Sequence, residues 1–549
     1  MVPADTLTVG LQALERGAWE EARTAFTASL ETGESPQALE QLGLASWWLD
    51  DAERTFGSRE RAYALYREQG DAKGAARVAL WLVWDNLAIR GDTAVASGWL
   101  ERARRLLEGH EASAEFGWLL LREGEVALFR GHDPAAARDY GIRAAKLGRQ
   151  TGDRGLEFTG LALEGLARVS AGDVARGMRC LDEATAAATA GEVKELHTVG
   201  VVCCWQIFAC ERVRDFDRAA QWCARVQEFT KRWHFRPLSA ICRVQYAGVL
   251  IWRGDWVEAD HELAAATRDF EQSRPPLVGQ AFARLGELRL RQGRLGEAAK
   301  LFDQAGSQPI ARLGHVALAL ERGDAAGAAL DVDRFLAQTS TGEPTLRAGA
   351  LELAVRAHAA LGEWSAAEQA RDELRRIAQT LGTLPLELSV AAAEGDLLRL
   401  RGDVRGAANR FEEAIVLAER TGAPLELARA RFELARTLAE QGQRSGAERE
   451  ARRALVAFQA LGAARDAARA TELLKGLRPS SGSAAKPELT ARQLEILRLV
   501  AQGLSNPEIA ARLRLSDHTV KRHVANLLTR LGLPSRAAAV AYAAQHGLL

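Results

Sequence analysis

Apolar residues recur through the first 477 positions at the three-and-four spacing of amphipathic helices, and one short phrase breaks the runs at regular intervals. The phrase is a Gly-containing turn followed by a helix whose early positions are alanine. Its clearest copies are Arg16-Gly17-Ala18-Trp19-Glu20-Glu21-Ala22, Arg253-Gly254-Asp255-Trp256-Val257-Glu258-Ala259 and Gln292-Gly293-Arg294-Leu295-Gly296-Glu297-Ala298. Leu361-Gly362-Glu363-Trp364-Ser365-Ala366-Ala367 and Arg401-Gly402-Asp403-Val404-Arg405-Gly406-Ala407 complete the set. Weaker copies turn at Gly91, Gly131, Gly172, Arg214, Gly323 and Gln441-Gly442, mostly 39 to 42 residues apart, with one short step from Gly293 to Gly323. Glycine fits the left-handed position that ends a helix, and alanines let two antiparallel helices approach closely. Each pair keeps one apolar side that it cannot bury alone, so neighbours stack into a solenoid. The pattern predicts an all-α array of roughly a dozen helical hairpins over residues 1–477.

The texture changes after Leu477. Residues 478–488, Arg-Pro-Ser-Ser-Gly-Ser-Ala-Ala-Lys-Pro-Glu, have no apolar periodicity and predict a flexible linker. Residues 489–549 then read as a small helical domain. Thr490 can cap a first helix with Gln493 at the capping-box position, and Ile496, Leu497, Val500 and Leu504 face inward until Gly503 ends it. Ser505, Pro507 and Glu508 start a short second helix that buries Ile509, Ala510 and Leu513. A turn through Arg514 and Leu515 reaches a third cap, Ser516, and a helix to about Leu531.

Two capped helices joined by a turn this short predict a helix-turn-helix, whose second helix enters the major groove of duplex DNA. Val520, Val524, Leu527 and Leu531 form that helix's core stripe, while His518, Lys521, Arg522, Ala525 and Thr529 lie on its other side. Lys521 and Arg522 can donate to guanine O6 and N7 or to phosphates, and Ala525 can touch a thymine methyl. Thr519 and the first backbone N–H groups suit a phosphate oxygen, and the cap Ser516 stands beside them in the candidate set. With His518, Asn526 and Arg530 these make up the candidate DNA-binding set. Charge agrees: the whole chain is formally neutral, yet residues 489–549 carry eight basic and three acidic side chains, so a tail of +5 follows a body of −5.

The run L-T-x-R-Q…G-L-S-N-x-E-I-A-x-x-L-x-L-S-x-x-T-V-K-x-H-x-x-N-L-L-x-x-L-G-L-x-x-R-x-x-A resembles the DNA-binding domain of LuxR-type bacterial regulators. The sigma-factor module is similar, but it generally lacks His523 and the Leu531-Gly532-Leu533…Arg536…Ala539 tail. Gln493 stands where the family often has Glu, and Pro507 where a charged residue is common. The resemblance implies groove contacts from Lys521, Arg522 and Ala525 and dimerisation through a last helix at about Ser535 to Gln545. The repeats resemble tetratricopeptide repeats, though their spacing exceeds the ~34 residues of that family. Regulators that join such repeats to a LuxR-type domain usually also carry an ATPase. This chain contains no G-x-x-x-x-G-K-[ST], so no nucleotide or other cofactor is expected.

All thirteen tryptophans precede residue 365. They either fill space between helices or line a groove for a small-molecule or protein effector. Six cysteines crowd between Cys180 and Cys242 near His197 and His234, without CxxC or another ligand spacing, and read as reduced core thiols. With no signal-like N-terminus and no long apolar run, a cytoplasmic protein without membrane contact is expected. No catalytic motif is present, so the expected function is bacterial transcription regulation rather than catalysis. The alternatives are a repeat scaffold whose tail binds DNA weakly or within a complex, and a sigma-like polymerase subunit.

Overall fold

The structure, a computed structural model, describes residues 6–233, 236–477, 489–531 and 533–545. Residues 478–488, where the linker is expected, lie outside the described residues. The chain divides into two compact units, Met1–Leu473 and Leu474–Leu549. Every regular element among the described residues is helical, and none of those helices is long and apolar enough to cross a membrane.

From Thr6 to Leu477, twenty-five described α-helices follow one another, and each of the first twenty-four packs on its neighbour in sequence. The turn phrase works through two adjacent residues. At Gly402-Asp403 the glycine is left-handed (φ 86°), which turns the Asp403 N–H back onto the Leu398 carbonyl at 2.9 Å and closes the preceding helix. The Asp403 carboxylate then accepts from the Gly406 N–H at 2.9 Å and opens the following one. The glycines picked out by the repeat are left-handed at each described turn except one, where His132 (φ 51°) takes that conformation instead of Gly131. The short step between Gly293 and Gly323 reflects two short helices, Leu295–Ala305 and Pro309–Arg322.

Packing follows the same economy of size. A glycine inside one helix seats a phenylalanine of the next: a Cβ on Gly395 would lie 2.6 Å from the Phe411 ring, and one on Gly286 2.5 Å from Phe302. Both rings are buried completely, as are the repeat alanines Ala298 and Ala407. Hairpins far apart in sequence also touch. The Thr383 hydroxyl donates to the Val213 carbonyl at 2.8 Å across 170 residues, and Gly172, Gly254 and Gly293 lie against Pro344, Pro424 and Arg465 at a similar remove. The array therefore returns upon itself after about four hairpins of the length the repeat predicts.

The second unit holds four described helices: Ala491–Ala501, Asn506–Leu513, Asp517–Leu531 and Arg536–Gln545. One apolar cluster joins Ile496, Leu499, Val500, Ile509, Ala510 and Val520, and a second joins Leu497, Leu527, Ala539 and Ala543. Val520 and Leu527 sit in these clusters with almost no exposure, and the half-buried Val524 and Leu531 pack against them, as their spacing predicts.

Candidate nucleic-acid interface

Local hydrogen bonds set the helix starts that place the interface. Thr490 and Gln493 exchange them: the Gln493 N–H donates to the Thr490 hydroxyl at 3.2 Å, and the Thr490 N–H to the Gln493 side chain at 3.0 Å. At the second helix, the N–H and hydroxyl of Ser505 both donate to the Glu508 carboxylate, at 2.7 and 2.6 Å. Those bonds hold Glu508 below its ordinary carboxylate range. The turn between the helices needs a left-handed residue, and Arg514 supplies it (φ 50°) with the Leu515 N–H returning to the Ala510 carbonyl at 2.9 Å. Ser516 then opens the third helix, accepting from the Thr519 N–H at 3.1 Å, with the two hydroxyls 2.7 Å apart.

At 3.6 residues per turn, a helix whose Val520 and Leu527 point inward must turn positions 518, 521, 522, 525 and 526 outward. The structure does so. Ser516, His518, Lys521, Arg522, Ala525 and Asn526 are exposed, and Thr519 is half-buried beside its cap. Arg530 follows on the same helix, its side chain outside the described residues. The result is a convex face with two cations over a small residue, beside a helix start rich in N–H groups. Such a face suits a groove lined by base-edge acceptors and flanked by phosphates.

Three features of the site were not read from the sequence. Lys521 is paired with Asp517 one turn earlier, at 2.9 Å. Arg492 donates to the Leu513 carbonyl at 3.0 Å, and Arg536 to the Asn506 side chain at 2.7 Å and to the Leu504 carbonyl. Two of the tail's eight basic residues thus brace the turns that hold the reading helix. The Asp517–Lys521 pair has the i,i+4 spacing that could have revealed it.

Outside the tail, Cys203, Cys204, Cys210, Cys223 and Cys242 are buried and Cys180 is half-buried. Burial raises the thiols of Cys203, Cys210 and Cys223, Cys210 to about 12, so these three stay protonated and act as small apolar groups. His197 packs its ring against Trp47 and Trp81, while His234 lies outside the described residues.

Capped helices with an outward basic face define a helix-turn-helix domain of the DNA-binding kind. Residues 487–543 match the family described as bacterial regulatory proteins, luxR family, and that domain is therefore the luxR-type DNA-binding domain of this chain. Among similar proteins, the response regulator protein VraR of Staphylococcus aureus (strain Mu3 / ATCC 700698) is 49% identical over 61 residues, 11% of this chain and 29% of that protein. Proteins of the same name from Staphylococcus saprophyticus and Staphylococcus epidermidis match to the same extent. The match spans less than a third of those relatives. Among solved structures, the crystal structure of the APC/C hetero-tetramer Cut9-Hcn1 aligns over 86% of this chain and 96% of its own, at 13% identity and a TM-score of 0.43. The crystal structure of Rap protein complexed with competence and sporulation factor aligns over 72% and 99%, at 13% identity and a TM-score of 0.36. Among the described residues the fold is all-α, a solenoid of helical hairpins joined by the tetratricopeptide-like turn phrase and followed by the luxR-type domain.

Proposed function

We propose that this chain is a cytoplasmic transcription regulator in which residues 489–549 read duplex DNA and residues 1–477 receive a signal, with 478–488 as the linker. The observation that carries the reading is the outward face of Asp517–Leu531, where Lys521, Arg522 and Ala525 lie exposed on the second helix of a capped pair. Lys521 and Arg522 contact base edges, Ala525 lets the helix lie deep, and Ser516 with Thr519 holds a phosphate at the helix start. His518, Asn526 and Arg530 flank that contact. The protein binds as a homodimer through Arg536–Gln545. That helix buries Ala539 and Ala543 against its own domain and turns Ala537, Ala541 and Ala544 outward, small enough for a partner helix to approach closely. No catalytic step is assigned.

The test is selection of bound sites from a random duplex pool with the full chain. A two-fold-related site is expected. On that site Arg522→Ala weakens binding by about 1–3 kcal/mol and relaxes the choice of one base pair per half-site. Uniform weakening across sequences would make Arg522 a phosphate contact, and no enrichment of any site would remove the regulator reading.

A further inference from the structure

Four tryptophans, Trp19, Trp48, Trp81 and Trp118, gather in the first hairpins around one cavity. The helices Thr6–Glu15, Pro36–Trp48, Ala72–Asp85 and Ala114–Phe129 contribute walls to a cavity of about 700 Å³, and the turn before Leu196–Arg212 comes back across it. Trp19 and Trp48 stack there with centroids 4.7 Å apart and planes 11° off parallel, and Trp81 and Trp118 also line the space.

The polar groups of this lining are unfinished. Trp19 and His197 are each only 9% exposed, yet neither Trp19 Nε1 nor His197 Nε2 has a hydrogen-bond partner among the described residues. Buried polar atoms are paired as a rule, so two orphans on one cavity mark a place built to meet something else. The charges are unequal in the same way. Arg77 donates to Glu40 at 2.6 and 2.8 Å, Arg122 to Glu125, and Arg154 to Glu157 at 2.7 Å, so the arginines of the lining are committed. The exposed carboxylates Glu15, Glu192 and Glu195 at the rim accept no side-chain hydrogen bond among the described residues; Glu192 feels Arg154 at longer range, and Lys194 stands beside them.

Indole faces attract cations, and a flat body gains most from stacked rings. At the rim an anion would meet three exposed carboxylates, while Arg122, with Arg59 and Arg274, keeps only the inner end beside His197 positive. A neutral polyol would use the orphaned Trp19 and His197 nitrogens but gain nothing from the rim charge. We propose that this cavity binds a small organic cation, an amine on a flat apolar body, stacked against Trp19 and Trp48 with its nitrogen toward Glu15, Glu192 and Glu195. The proposal rests on the reading of the solenoid as the signal-receiving arm and names the chemistry of that signal.

The test uses the full chain and three probes with one phenyl body: 2-phenylethylamine, 2-phenylethanol and 3-phenylpropionate. Binding is followed by calorimetry and by tryptophan fluorescence excited beyond the phenyl absorption. The amine should bind about tenfold or more tightly than the carboxylate, with the alcohol between them. Glu15→Gln/Glu192→Gln/Glu195→Gln, three exposed positions whose change leaves the helical spectrum intact, should bring the amine to the affinity of the alcohol and leave the alcohol unchanged. Preference for the alcohol or carboxylate, or an amine affinity indifferent to the triple variant, overturns the cation while leaving the solenoid a receiving arm. Binding of none of the three overturns the cavity as a site. Duplex binding by the same preparations reports on the tail independently of either result.

Discussion

The first hairpins of the solenoid and its later ones share a repeat but differ in what they bury. Arg59 and Arg347 show the difference. Both are less than one-tenth exposed. Arg347 donates to the Leu336 and Thr339 carbonyls at 2.8 Å each and to both oxygens of Glu373, so its guanidinium is widely satisfied. Arg59 pairs with Asp85, lies 4.5 Å over the Trp81 ring, and leaves its Nη2 and Asp85 Oδ1 without partners among the described residues. Burial outweighs Arg59 and pushes the Asp85 carboxyl up. Next to it the helix Ala72–Asp85 widens into a π turn, Asn86–Arg90, a distortion often found at functional sites. The Arg347 guanidinium is built into its packing, whereas the Arg59 pair leaves atoms unmatched beside a tryptophan-lined cavity. The later hairpins have unmatched buried atoms of their own, at Arg284, Arg399 and Arg431, but no such cluster of indoles around them. Repeat proteins tolerate such local specialisation because each hairpin answers mainly to its neighbours.

The largest expected effect tests that contrast directly. Arg59→Ala strands the Asp85 carboxylate in the core and should cost about 3–5 kcal/mol of stability. Arg59→Met with Asp85→Leu removes both charges, and thermal or urea denaturation should find most of that loss recovered. If the double variant is as unstable as the single one, the pair is structural cement like Arg347 and the contrast collapses.

A smaller effect belongs to the later hairpins. Gly395→Ala places a methyl group 2.6 Å from the fully buried Phe411 ring, and overpacking of this kind costs about 1–3 kcal/mol. Alanine's better helix propensity offsets under 1 kcal/mol of it. Gly402, outside the helices and left-handed, is a different case, in which strain and not space opposes a side chain. An unchanged melting temperature in Gly395→Ala would show that the phenylalanine seat yields, and that the later hairpins are looser than their burial implies.

What the sequence made legible follows from the range of each interaction. Turn glycines, caps and core stripes act within about one helical turn, so Gly402-Asp403, Thr490 with Gln493, and the Val520–Leu527 spacing could be read directly. Local chemistry also explains the one misplaced turn: His132 tolerates a left-handed backbone and took the position assigned to Gly131. The return of the array upon itself was not legible, because Val213 meets Thr383 across 170 residues and no periodic pattern encodes that pairing. For the same reason the tryptophans could be counted but not placed. Trp19, Trp48, Trp81 and Trp118 converge with His197 only because the turn before Leu196 crosses back over the first helices. In the tail, Lys521 and Arg522 were visible as an outward pair, but the bracing duty of Arg492 and Arg536 depends on turns that spacing alone does not fix.

The smallest expected effect separates the two regions through one histidine in each. His197 is held well below its ordinary range, first by burial and then by the positive charges of Arg122, Arg59 and Arg274. Its unfolded form takes a proton near pH ~6.5 that the folded form refuses, so its contribution to stability falls as pH drops through that value, by up to about 1.4 kcal/mol per pH unit. His358 is shifted the other way. Burial pulls it down, but hydrogen bonds with Glu363 at 2.7 Å and Asp333 at 3.1 Å win and raise it. Its stabilisation is complete below its unfolded value and is lost as pH rises through the higher folded one. Hydrogen exchange, corrected for its intrinsic pH dependence, should therefore move in opposite senses between about pH 7.5 and about pH 5.5. Protection should fall in Leu196–Arg212 and rise in Pro344–Leu361. Histidine-to-glutamine changes at 197 and 358 should each flatten their own helix's response without touching the other. If both helices shift together, acidification acts on the solenoid as one cooperative body, and the two regions differ in composition but not in energetics.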